Sequence, residues 1–183
     1  FDLENDGDLD LFVGNYVQWS PDIDFEQGAT LTGIGRAYGQ PMNFQGTFPV
    51  LYQNDGNGNF TDISNPSGVQ VRNPATDGPV AKSLGVAPVD INADGWMDLV
   101  VANDTVQNFV FENQKDGSFK EIGSMTGIAF DSYGKARGAM GIDSARFRED
   151  NAVGIGIANF ANEMTALYVG RSSNLIFTDE AVP

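Results

Sequence analysis

Residues 2–10 read DLENDGDLD and residues 90–98 read DINADGWMD. Both put Asp at positions 1, 5 and 9, an acid or amide at position 3 and Gly at position 6. A tight loop with this spacing turns side chains 1, 3, 5 and 9 inward and offers the backbone carbonyl of position 7, while the glycine permits the sharp turn. Carboxylates gathered this densely repel each other unless a cation sits among them. An all-oxygen shell suits a hard cation, and six to eight oxygens at about 2.3–2.6 Å suit calcium. The spacing therefore predicts two Ca²⁺ sites. The first uses the side chains of Asp2, Glu4, Asp6 and Asp10 with the carbonyl of Asp8. The second uses Asp90, Asn92, Asp94 and Asp98 with the carbonyl of Trp96. Glu4 is one methylene longer than Asp and must reach by a shifted geometry or through a water. The loops are not EF-hands, because the closing acid is at position 9 and strand-like runs follow it. Asx turns alone would account for one such loop. Two copies with the same spacing favour the cation.

The chain has 183 residues, 10 Lys and Arg against 25 Asp and Glu, and a net charge of −15. A surface this acidic is a poor partner for phosphate backbones, so nucleic acid is excluded. Cys and His are absent. Thiol nucleophiles, Ser-His-Asp triads and Cys or His metal sites are excluded with them. No apolar run approaches the length of a membrane helix. The chain opens at Phe1 in the middle of an acidic loop, which reads as a processed chain or a fragment of a larger one.

The loops belong to a longer repeat. Asp2–Tyr16 and Asp90–Asp104 share seven of fifteen residues, and Gly85–Asp104 aligns without gaps to Gly141–Phe160, 56 residues on. Each copy is followed by a hairpin signature: LYQNDGNGNFTDI, VFENQKDGSFKEI and LYVGRSSNLIFTD. One unit reads strand, acidic loop, strand, turn, strand, turn, strand. Four short antiparallel strands in about 56 residues is the size of a propeller blade. The expected fold is all-β: about three four-stranded blades, near 1–64, 80–123 and 136–179, in one partial β-propeller domain spanning 1–183. The first blade is expected to lack one strand. Three blades are too few to close a ring, which takes about 4–8, so the missing blades are expected from a longer chain or another subunit. A β-sandwich would explain the strands but not a loop recurring at one place in each unit.

The third loop, residues 146–154, has Arg146 at position 1, Arg148 at position 3, Asn151 at position 6 and Gly154 at position 9. Only Asp150 survives, so this loop is expected to hold no ion. Either Arg146 or Arg148 pairs with Asp150 or Glu149 in its place, or the two arginines are simply solvated. The first unit carries an insertion, 17–50, that reads as a loop. Its aromatics Trp19, Phe25, Tyr38 and Phe44 are candidate anchors for a partner chain or a glycan, or else they pack on their own blade. Ser124–Arg137 also reads as a loop. Asn59 and Asn103 head glycosylation sequons, although Asn103 reads better as a structural amide and Asn59 as a left-handed turn residue. Outside the acidic loops no convergent acid–base set is visible.

The segments DGDLDLFVGNYVQW, LYQNDGNGNFTDIS, SLGVAPVDINADGWMDLVVAND and GKARGAMGID with IANFANEMTALY resemble the FG-GAP/VCBS repeat family, and within it the ASPIC/UnbV-associated, cartilage-acidic-protein-like branch. The resemblance implies a β-propeller, often seven-bladed and similar to the integrin α-subunit head, with structural calcium. It carries the family's calcium ligands onto Asp2, Asp6, Asp10, Asp90, Asn92, Asp94 and Asp98, Glu4 being a departure. It implies a secreted, periplasmic or cell-surface protein. The expected function is a non-enzymatic module for adhesion, for protein or glycan binding, or for surface assembly. The alternative is the scaffold of a polysaccharide lyase or sugar dehydratase.

Overall fold

The computed structural model describes residues 1–149, 152–171 and 175–181. Three antiparallel sheets follow one another along the chain. The first contains β1 (Leu11–Val13), β4 (Val50–Asn54) and β5 (Phe60–Asp62). Between β1 and β4 lies the insertion, with α1 (Pro21–Gln27), the two-stranded ribbon β2 (Thr30–Leu31) and β3 (Gly35–Arg36), and a 3₁₀ turn at Pro41–Asn43. The second sheet is β6 (Ser83–Val89), β7 (Asp98–Asn103), β8 (Phe109–Asn113) and β9 (Phe119–Glu121), hydrogen-bonded in that order. A single helical turn, α2 (Gly123–Thr126), leads to the third sheet. That sheet is β10 (Ala139–Arg146), β11 (Val153–Asn159), β12 (Ala166–Gly170) and β13 (Phe177–Asp179), again in chain order.

The repeat inferred from sequence is thus a repeat of sheets. Even its irregularities recur: β6 slips register against β7 between Ser83 and Gly85, and β10 slips against β11 between Ala139 and Ile142, the matching place. The first sheet has three strands, lacking the first of the pattern. Among the described residues the sheets do not close on one another as a ring.

The core lies between sheets. All six residues of β7 are buried. A strand alternates its side chains between two faces, and β7 uses both. Leu99 and Val101 pack with Leu3, Leu51 and Phe109 towards the first sheet. Val100 and Ala102 pack with Val153, Ile155 and Ile157 towards the third. Burial on both faces explains why LVVA reads as a continuous apolar run. The first strands of the second and third sheets approach closely: a Cβ on Gly85 would lie 2.9 Å from the Met140 carbonyl oxygen. Glycine at 85 lets these backbones meet.

Two regions expected to be loops carry structure. Ser20 caps α1, its hydroxyl accepting from the Ile23 N–H at 3.2 Å, with Pro21 in the first turn and Gly28 at φ 59° ending the helix. The segment from Ser124 holds most of α2.

Candidate functional site

The two acidic loops sit at the same end of their sheets and are built by the same hydrogen bonds. In the first, the Asp2 carboxylate accepts from the N–H groups of Asp6 at 3.2 Å and Gly7 at 3.0 Å. In the second, Asp90 accepts from Asp94 at 3.0 Å and Gly95 at 3.1 Å. Position 5 accepts from position 7 in both, Asp8 to Asp6 at 3.0 Å and Trp96 to Asp94 at 2.9 Å. Both loops pass through left-handed backbone at position 4, Asn5 at φ 57° and Ala93 at φ 59°, and at the glycine, Gly7 at φ 94° and Gly95 at φ 86°. Glycine is needed at position 6, where φ near 90° lies beyond the left-handed region that Asn5 and Ala93 occupy.

Position 9 fastens each loop to its sheet. Asp10 accepts from the Leu3 N–H at 2.7 Å and from the Asn54 N–H at 2.9 Å. Asp98 accepts from Ile91 at 3.0 Å and Asn113 at 2.8 Å. Leu3 and Ile91, at position 2, are fully buried and anchor the loops in the two core clusters. Sequence reasoning missed the role of Asn54 and Asn113. They are the last residues of β4 and β8, and their side-chain amides donate to the carbonyls of Leu9 at 3.1 Å and Met97 at 3.2 Å. Asn113 also reaches the Leu3 carbonyl at 2.9 Å and so ties the second sheet to the first loop. The signal was the matched place of the two asparagines in the hairpins.

The charge in these loops is only partly compensated. Burial, followed by the Asp10 charge, raises the Glu4 carboxyl, and Glu4 Oε2 is buried without a hydrogen bond while Gln53 donates to Oε1. Burial pushes Asp98 up to about 6 against the two N–H groups that favour its charge. Asp94 is also raised by burial, but the Trp96 N–H, Lys115 and Asn92 outweigh this and hold it below the usual carboxylate range. Lys115 reaches Asp94 at 3.1 Å. Among the described residues no three acidic side chains gather into a metal-holding cluster. The carboxylates instead grip the backbone N–H groups of their own loops. The donor set nevertheless fits a hard cation in kind: every expected ligand atom is oxygen, and the carboxylate oxygens of Asp2, Asp10, Asp90 and Asp98 each accept one hydrogen bond and keep a second lone pair, whereas Asp94 Oδ2 already takes the Asn92 amide and Lys115. The unsatisfied Glu4 Oε2 is the atom of the first loop most in need of a partner.

The third loop is built otherwise. Arg146 donates to the Asp90 carbonyl of the second loop at 3.2 Å, and Arg148 pairs with Glu180. Asp150 and Asn151 lie outside the described residues. Gly154 stands where Asp98 stands in the second sheet, and Gly170 where Asn113 stands, so the carboxylate and the asparagine it fastens are lost together. A Cβ on Gly154 would fall 2.3 Å from the Phe147 ring, which lies over the vacated place.

Of the candidate partner-binding aromatics, Trp19, Phe25 and Tyr38 are exposed, with Arg36 stacked on Phe25 at 3.8 Å. Phe44 is buried at 6% exposure, which corrects its placing as a surface anchor: it packs inside the insertion, where Gly39 leaves room for its ring. Asn103 is fully buried and accepts from the Lys82 N–H and the Ser83 hydroxyl, both at 3.1 Å, so it is a structural amide. At the hairpin turn the left-handed residues are Gly56 and Gly58, not Asn59. The opposite end of the sheets holds a titratable group that sequence did not reveal. Tyr16 donates to the buried Asp104 at 2.5 Å, and the buried Lys82, whose ammonium burial disfavours and the Asp104 charge favours, donates to the Pro41 carbonyl at 2.8 Å.

No curated protein matches the chain. The model of the FG-GAP-like repeat matches it twice, over residues 2–101 and 90–152; the first match takes in both acidic loops and the second takes in the loop at 90–98. Covering most of the chain, these matches show that it belongs to the FG-GAP-like repeat family.

Proposed function

We propose that the protein is a calcium-stabilised, non-catalytic binding module of an extracellular or surface protein, its three sheets being consecutive blades of a propeller. FG-GAP repeats are found in extracellular adhesion and binding modules. Among the described residues no helix is long and apolar enough to cross a membrane. The carrying observation is the pair of acidic loops with one hydrogen-bond plan, 88 residues apart in sequence. Stacking of successive sheets through both faces of β7 supports the propeller reading, with the remaining blades supplied by a longer chain or another subunit. The motifs quoted above favour the ASPIC/UnbV-associated branch. The partner is a protein or glycan at a cell surface or in a matrix.

When bound, calcium supplies positive charge and a fixed coordination shell. The chain's own part is to present oxygens from Asp2, Glu4, Asp6, Asp8 and Asp10, and from Asp90, Asn92, Asp94, Trp96 and Asp98. An ion that binds only the folded loop stabilises by RT ln(1 + [L]/Kd), about 2.7 kcal/mol at a hundredfold excess. Thermal melting with chelator, calcium and magnesium tests this. Chelator is expected to lower Tm, and calcium to restore it better than magnesium, which demands a smaller octahedral shell. Asp94→Ala is expected to remove a large part of that response. Melting indifferent to chelator would overturn the calcium reading.

A further inference from the structure

At the end of the sheets opposite the acidic loops, the insertion and the turns after β7 and β11 enclose a cleft of about 410 Å³. We infer that this cleft binds a lysine or arginine side chain of a partner polypeptide. Its walls are apolar: Pro41 and Met42 from the insertion, Met140 from β10 and Phe160 after β11. Among the described residues the only charged ones lining it are the carboxylates Asp104 and Glu163. Asp104 is 2% exposed, and one of its oxygens accepts from Tyr16 while the other accepts no hydrogen bond. Glu163 uses one oxygen to accept from the Gly138 N–H at 2.7 Å. The nearest buried cation, Lys82, has its ammonium committed to the Pro41 carbonyl.

The cleft thus offers acceptors set among apolar walls and has little to donate. An anion is repelled, and a neutral sugar would find few donors for its hydroxyl oxygens. An ammonium or guanidinium on an aliphatic stem matches both parts: the stem lies on the Met and Phe surfaces, and the head reaches the two carboxylates. The rim favours a polypeptide over a free amine. Tyr38 and Met42, flanking Gln40 and Pro41 in the cleft wall, are 81% and 64% exposed, and Phe160 is 65% exposed. These are contact surfaces that a small amine would leave bare.

The inference rests on the binding-module reading but not on calcium, so melting with chelator and the peptide experiment fail independently. Calorimetric titration of the protein, with and without added calcium, with the acetylated, amidated peptides Gly-Gly-Arg-Gly-Gly and Gly-Gly-Lys-Gly-Gly tests it. Citrulline and norleucine peptides are the neutral counterparts, and agmatine is the free-amine arm. Basic peptides are expected to bind about tenfold or more tighter than the neutral ones, and more weakly as salt is raised. Glu163→Gln and Asp104→Asn, which keep acceptors for Gly138 and Tyr16, are expected to erase that preference with the fold intact by circular dichroism. Because the citrulline comparison leaves the protein unaltered, it stands even if Asp104→Asn misfolds. Equal binding of arginine and citrulline peptides, or no binding at millimolar peptide, overturns the inference. Agmatine binding as tightly as the arginine peptide overturns its polypeptide part.

Discussion

The loops at 90–98 and 146–154 occupy the same place in adjacent sheets, yet they are held in opposite ways. In the first, a fully buried carboxylate, Asp98, takes hydrogen bonds from its own loop and from the end of β8. In the second, that carboxylate and its asparagine are both glycines, and Phe147 lies over the space. The strands flanking both loops still pair, β6 with β7 and β10 with β11. The acidic loop is therefore not what makes a blade fold. It adds charge and a polar latch to a sheet that apolar packing already supports, and the third sheet does without the latch.

Four experiments press on this contrast. Asp98→Ala should have the largest effect: it strands the buried N–H groups of Ile91 and Asn113 at about 1–3 kcal/mol each, which chemical denaturation of the calcium-free protein would register as a loss of about 2–6 kcal/mol. A loss under 1 kcal/mol would mean that water replaces the latch freely. The second is a pH series on the calcium-free protein. The Asp98 pKa of about 6 lies above its unfolded value, so its contribution is fully present below about pH 4 and lost as pH rises through about 6. Stability should fall across that window by an amount of order 3 kcal/mol, and Asp98→Asn should flatten it. Gly154→Ala comes third. The Phe147 ring must swing aside, and since Phe147 is half exposed the cost should be about 1 kcal/mol. The smallest effect belongs to Arg146→Ala, which removes an exposed hydrogen bond to the Asp90 carbonyl and should cost under about 1 kcal/mol in the same assay.

How far the sequence could be read follows from where the constraints lie. The strand and turn order of the second sheet was legible, because β7 is apolar on both faces and the hairpin turn carries Gly117. The order of sheets followed from the 56-residue repeat. Helix α1 was overlooked although Ser20, Pro21, Asp22 and Gly28 spell its caps. Seven residues are too few to show a helical period, so the evidence lay only in the ends. Phe44 was misplaced because an aromatic in a polar segment reads alike whether it packs inside or out. The pairing of Tyr16 with Asp104 spans 88 residues and lies between two sheets, so no local pattern marks it. For the acidic loops the spacing gave the residues and the turn, but not the grip of Asp10 and Asp98 on the hairpins.

Burial of β7 on both faces carries a consequence for how the molecule opens. Its amides lie in the middle of the stack, hydrogen-bonded to β6 and β8, while β1 and β5 hold residues that meet solvent. In stacked repeats each unit is stabilised mainly by its neighbours, and opening free energies grade from near zero at the frayed parts to the global value at the centre. Deuterium should therefore enter β5 early, through local opening, and reach Val100 and Val101 only when the three sheets come apart together.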